Sequence, residues 1–187
     1  MTIIKTNSLS LPVGSVVQTI PVTEMTATSF ASSDSSTPRT FMSGTITPAK
    51  TSHKILLFGF LSMGGLYSNY TGTFHYFGIR LKRGSTVIGE TTSNASATTM
   101  YGADASGARP MHSVFKDAGY SASKPQTCPF HFMDSPNTTS AVTYNIQGVI
   151  ERNANTYTLV RNIGGYNYNN DEMPSSTCQL TLMEIVA

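Results

Sequence analysis

The segment Cys178-Gln-Leu-Thr-Leu-Met-Glu-Ile-Val-Ala187 reads as one apolar-rich β-strand with no helix signal around it. A strand of this kind is best placed inside a sheet, where it completes a core. Its upstream counterpart is Val142-Thr-Tyr-Asn-Ile-Gln-Gly-Val-Ile150, with Val142, Tyr144, Ile146 and Ile150 on one face. Between them, residues 126–133 put Cys128, Phe130 and Phe132 on a common face, and Asp134-Ser-Pro-Asn137 has a β-turn signature into the strand that follows. These runs predict an all-β module.

Upstream, residues 15–23 form a first strand, in which Pro21 cannot donate to a ladder and so marks an edge or a bulge. Residues 27–40 are Ser/Thr-rich and read as a loop, and a strand over 41–47 follows. Residues 73–82 alternate, with Phe77, Ile79 and Leu81 inward and Arg80 and Lys82 outward. Arg83-Gly84 then turns the chain into a hairpin with 85–89. A short strand is predicted near 113–115 and another over 156–161, while 90–110 reads as a long loop. Eight or more short strands at this spacing predict a jelly-roll-like antiparallel β-sandwich over 15–187, preceded by a short extended arm over 1–14. The arm scatters Ile3, Ile4, Leu9 and Leu11 among polar residues, so it gains stability only along another surface.

The run Lys54-Ile-Leu-Leu-Phe-Gly-Phe-Leu-Ser62 is apolar at successive positions, as a strand covered on both sides would be. In a two-layer fold one cover is the opposite sheet and the other must be a loop or a second subunit. The expectation is self-association with Ile55, Leu57, Phe58, Phe60 and Leu61 in the interface, as a homotrimer if the resemblance given below holds.

At 187 residues, a chain of this size buries about 70% of its unfolded surface. Only 12% of its residues are charged, about half the usual share, so copies repel one another weakly. Net charge is +2 and Lys82-Arg83 is the one adjacent basic pair, which argues against nucleic acid as a partner. No apolar stretch is long enough to insert in a membrane as a helix, and Met-Thr-Ile-Ile-Lys5 has no signal-peptide pattern. Cys128 and Cys178 are expected as buried free thiols rather than a disulfide.

Chemistry-bearing constellations are sparse. His53, His75, His112 and His131 lack metal-ligand spacing, and no strained Gly-x-Ser-x-Gly turn occurs. The single adjacent carboxylate pair, Asp171-Glu172, lies in a polar loop. No enzyme, cofactor or metal site is expected. Tyr67, Tyr70, Tyr101, Tyr166 and Tyr168 stand in Asn/Ser/Gly-rich loops that suit recognition of a surface, or that pack on the sandwich rim.

Four motifs in order carry a resemblance. They are Ile46-Thr-Pro-Ala-Lys-Thr-Ser-His-Lys-Ile-Leu-Leu57, Arg80-Leu-Lys-Arg-Gly-Ser-Thr-Val-Ile-Gly89, Pro129-Phe-His-Phe-Met-Asp-Ser-Pro136 with Thr143-Tyr-Asn-Ile-Gln147, and Leu180-Thr-Leu-Met-Glu-Ile185. Over 15–187 the chain resembles small virion proteins of tailed, often marine, bacteriophages. The resemblance implies a trimeric jelly-roll tip domain of a fibre or decoration protein, located in the virion. Its partners would be itself, capsid, collar, tail or fibre proteins, and a host surface glycan or protein. A capsid decoration protein is the alternative within that class; a carbohydrate-active enzyme and a cellular jelly-roll lectin are the alternatives outside it.

Overall fold

The computed structural model describes residues 11–26, 28–32, 39–67, 76–89, 103–104, 107–108, 113–116, 126–151, 157–161 and 176–187. Over these the chain forms β1 (Val16–Glu24), β2 (Thr28–Ser32), β3 (Arg39–Ile46), β4 (Lys54–Tyr67), β5 (Tyr76–Arg83), β6 (Thr86–Ile88) and β7 (Ala103–Asp104). Then follow β8 (Gly107–Ala108), β9 (Ser113–Lys116), β10 (Gln126–Asp134), β11 (Val142–Glu151), β12 (Tyr157–Arg161) and β13 (Cys178–Ile185). No helix interrupts the described strands.

Every pairing is antiparallel. Strands β1, β3, β4 and β5 pair in turn with β13, β11, β10 and β9, so the chain is one long ribbon wound around a core. The winding sorts the strands into two sheets, ordered β1-β13-β4-β10 and β3-β11-β5-β9, which is the jelly-roll arrangement. Strand β4 outlasts its neighbour: β13 covers one edge from Lys54 to Phe60, and β12 continues that edge from Met63 to Tyr67. Strand β2 flanks β12 as β1 flanks β13. In the second sheet β6 shares the far edge of β5 with β9, and the tiny β7–β8 hairpin stands apart.

Burial follows the pleat. Ile55, Leu57 and Leu61 of β4, Phe130 of β10 and Leu180 and Leu182 of β13 meet Met42, Ile46, Ile79, Leu81, Tyr144 and Ile146 of the other sheet. A bulge in β3 lets the consecutive residues Phe41 and Met42 both bury, because Ile146 and Gln147 oppose Met42 and Thr40 and leave Phe41 over. Two glycines allow close approaches. At Gly44 an added Cβ would sit 3.1–3.2 Å from side-chain atoms of Leu182, Leu180 and Val22, so the first sheet packs closely over this position. At Gly59 it would overlap the Gln179 carbonyl oxygen of β13.

The observed elements revise several expectations. Residues 28–32, read as loop, form β2, whose Ser/Thr-rich sequence carries no apolar alternation and is held by backbone pairing to β12. The turn-like segment after Asp134 does not close a hairpin, since β10 and β11 lie in different sheets and the chain crosses between them there. Tyr67 ends β4 instead of lying in a loop. Tyr70, Tyr101, Tyr166, Tyr168, Ile3, Ile4 and Leu9 fall outside the described residues. Leu11 is exposed, and the segment enters β1 through a turn in which Ser15 N–H donates to Pro12 O and Gly14 N–H to Val186 O. Pro21 sits in an edge strand with a bulge near Val16, as anticipated.

Candidate assembly surface

The outward side of β4 is where the sequence expectation divides. Ile55, Leu57 and Leu61 are fully buried within one protomer, so they cannot meet a second subunit; of the five residues expected in an interface only Phe58 and Phe60 stand on the outward side of the strand, with Leu56 beside them. The strand reads as apolar on both faces because one face fills the core while the other is exposed to solvent over part of its length. Phe58 is 37% exposed.

Register extends this face across the sheet. Opposite Leu56 stand Met133 of β10 and Met183 of β13; opposite Phe58 stand His131 and Thr181; opposite Phe60 stand Pro129 and Gln179. Strand β1 adds Thr19, Pro21 and Thr23 to the same rows. Met133 is 43% exposed. No carboxylate occupies an outward position of β1, β4, β10 or β13 among the described residues, and Lys54 lies at the far end of the strip. Four strands at about 4.8 Å and three rows at about 6.8 Å make a surface of roughly 400 Å².

The outer side of the second sheet is chemically opposite. Thr45 and Thr143 hydroxyls lie 2.9 Å apart, Ser43 donates to Asn145 at 3.0 Å, and Gln147 donates to Thr40 at 3.4 Å. Arg80 and Lys82 of β5 continue these rows beside Gln147 and Asn145. Cross-strand polar pairs of this kind suit a face that stays wet.

Two buried carboxylates lie in one row of the first sheet, since Asp134 and Glu184 both register with Ile55. Glu184 is fully buried; its Oε1 accepts from Ala49 N–H at 2.6 Å and lies 2.7 Å from His53 Nδ1, and its Oε2 accepts from Gln18 at 2.6 Å. Gln18 also donates to Thr47 O at 2.7 Å, so the β3–β4 connection is clamped to β1 and β13. Asp134 accepts from Tyr144 OH at 2.6 Å and from Arg83 Nη1 at 3.0 Å, which joins the two sheets. Partnering of both groups satisfies the rule that a buried charge needs compensation. Neither lies in an open cleft, so they do not form the exposed acid/base pair of a glycosidase.

Among the described residues no cluster of three or more His, Cys, Asp and Glu could hold a metal ion. His53 is buried against Glu184, His131 lies exposed on the apolar face, and His75 and His112 fall outside the described residues. Cys128 and Cys178 are buried and form no disulfide. Cys128 registers with Leu61 and Cys178 follows the Gln179–Phe60 pair, so the thiols sit on opposite sides of β4. Two strand spacings, about 9.6 Å, exceed the roughly 7 Å limit between Cα atoms of a disulfide.

Burial pushes the Cys128 thiol from 9.0 up to about 11. Burial also raises the Tyr144 hydroxyl well above its usual 10.0, and its hydrogen bond to Asp134 adds to that while Arg83 opposes it. Both groups are neutral in the fold, with pKa values above those of the open chain. The Cys128 contribution to stability is therefore complete below pH 9.0 and is lost as pH rises through about 11, while the loss at Tyr144 begins only above 10.0 and extends past that window. The urea midpoint should hold near neutrality and fall inside that window, and Cys128→Ala should shift the onset of the fall upward.

No protein-family model matches the chain, and no curated protein does. Among solved structures the chain is similar to the infectious bursal disease virus VP2 subviral particle, at 15% identity and a TM-score of 0.37, over 91% of this chain. The chain spans 38% of the length of that protein. Overlap at this level fixes neither family nor role.

Proposed function

We propose that this chain is a structural component of a virus particle. In this reading it is a fibre- or spike-type module of a tailed bacteriophage, docked by residues 1–14 on capsid, collar, tail or fibre proteins. The observation that carries the reading is a sandwich with two unlike outer faces, one centred on Leu56, Phe58, Phe60, Met133 and Met183 with no carboxylate among its described residues, the other polar and basic. A subunit that lives among others uses the first and shows the second to solvent. The low charge content and the resemblance of the four motifs to phage virion proteins point to the same assignment.

The reading is non-enzymatic, without cofactor, nucleic acid or membrane insertion, because the paired, buried carboxylates serve the fold. Host adhesion through the loops bearing Tyr70, Tyr101, Tyr166 and Tyr168 rests on their sequence. The largely apolar face favours a second role, a capsid decoration protein that lies on its neighbours and stabilises the shell.

An antibody raised against the chain should label purified particles at regular positions, with the protein at stoichiometric copy number in their mass spectra. Its absence from particles would remove the reading. Binding of purified protein to host cells would select the adhesive role; particles that lose heat resistance without the protein, and no cell binding, would select decoration.

A further inference from the structure

We infer that one end of the first sheet is a hinged flap, built from β2, β12 and residues 63–67 of β4, which opens separately from the rest of the sandwich. The inference concerns the single chain and stands without the assembly reading above.

Register places the seam. Along one edge of β4 the partners run from Ile185 opposite Lys54 to Gln179 opposite Phe60, and resume with Arg161 opposite Met63. Leu61 and Ser62 fall between β13 and β12, although β10 pairs both along the other edge through Cys128 and Thr127. The next line of the sheet breaks at the same level: Glu24 of β1 stands opposite Cys178, and Thr28 of β2 stands opposite Arg161. Just past Glu24, Met25 is 73% exposed and Thr26 N–H donates to the Glu24 carboxylate, so the backbone has left the ladder. Strand β10 reaches no further than Met63, which leaves the flap three strands wide. The backbone of β4 crosses the seam with Gly64-Gly65 just beyond it, small residues of the kind hinges often use.

A side chain fills the gap in the ladder. Ser62 is buried, so its backbone groups need partners. Its N–H donates to Cys178 Sγ at 3.2 Å, and the thiol donates to Ser62 O at 3.6 Å. Sulfur is a weak donor and a weak acceptor, so this latch holds less firmly than the strand it replaces. Flap and body are each laddered within and joined weakly to one another. A unit joined in that way opens as one piece, below the free energy of global unfolding. The chain leaves the flap at Tyr67 towards Tyr70 and at Arg161 towards Tyr166 and Tyr168, so opening moves both points of departure together.

Amide hydrogen exchange of the full-length chain, resolved by residue across low urea concentrations, tests the inference. Amides bonded within β2, β12 and residues 63–67 should share one opening, with protection roughly tenfold or more below that of β11 and β13. Their urea dependence should also be smaller, because partial opening exposes less surface. Cys178→Ala should lower the protection of the flap amides about fivefold, and Cys178→Ser, which keeps a donor and an acceptor, should lower it less. A thiol that only filled the core would leave flap exchange as in the parent, since the core stays folded when the flap opens. Flap amides with the protection and urea slope of β13, flap strands that exchange independently, or flap exchange unmoved by Cys178→Ala would each overturn the proposal. Should that variant not fold, the unmodified chain and Cys178→Ser decide. None of these results bears on whether the chain is found in particles, so the two readings fail separately.

Discussion

Replacing Gly59 by alanine should cost more than about 3 kcal/mol and lower the thermal midpoint by roughly 6–12 °C. Gly59 registers with Leu180 on one side and Phe130 on the other, in the stretch where β4 is paired along both edges. The methyl group would overlap the Gln179 carbonyl oxygen and press on the Leu180 Cα, both backbone atoms that no rotamer change can move. Relief requires β13 to shift away from β4, which breaks ladder bonds and opens the core at Leu180 and Leu182. Gly84→Ala is the matched control. That glycine also has a positive φ, of 56°, but nothing lies within 4 Å of its added Cβ. Its cost should be only about 1 kcal/mol, from backbone conformation alone. Urea unfolding of both variants measures the difference, and equal losses would show that the crowding at Gly59 does not matter.

The second large effect is expected at Glu184. Removing its carboxylate with Glu184→Ala leaves the Ala49 N–H and the buried His53 ring without this partner and the Gln18 amide with Thr47 O alone. Breaking a buried charged network from one side costs about 3–5 kcal/mol. The loss should fall on global stability, because the network ties the β3–β4 connection to the ends of β1 and β13. Lys54→Ala, one residue from His53 but exposed, should stay within about 0.5 kcal/mol. A Glu184→Ala variant as stable as the parent would mean that the connection finds other partners.

Most of the architecture was legible because alternation is a strong signal where one face is buried. Phe130 and Phe132, Ile79 and Leu81, and Tyr144 and Ile146 all face the core as their spacing required. Strand β2 was not legible, since the sequence Thr-Ser-Phe-Ala-Ser shows no apolar alternation, and its backbone pairs with the distant β12. The crossing after Asp134 was hidden because a turn signature gives the bend but not which sheet receives the next strand.

The assembly face was half legible. Apolar residues at successive positions of β4 marked it, but the pattern could not say which half of them the protomer keeps for itself. The buried carboxylates had a signal that went unused. Asp134 continues the inward series Cys128, Phe130, Phe132, and Glu184 continues Cys178, Leu180, Leu182. A charge in an apolar register must be partnered, so each position announces a polar contact from another element. The partners themselves, His53 and Gln18 for one and Arg83 and Tyr144 for the other, arise from long-range topology that no local window contains.

Placement of β13 between β1 and β4 has a consequence for biosynthesis. Strand β4 leaves the ribosome complete at residue 67, and its inner neighbour begins at 178, a gap of 178 − 67 = 111 residues. At about 5–20 residues per second that gap lasts roughly 6–22 s, with unsatisfied strand edges open to other nascent chains. The fold thus cannot close until β13 has been made, and polysome crowding or chaperone supply should govern the soluble yield more than the equilibrium stability of the finished fold.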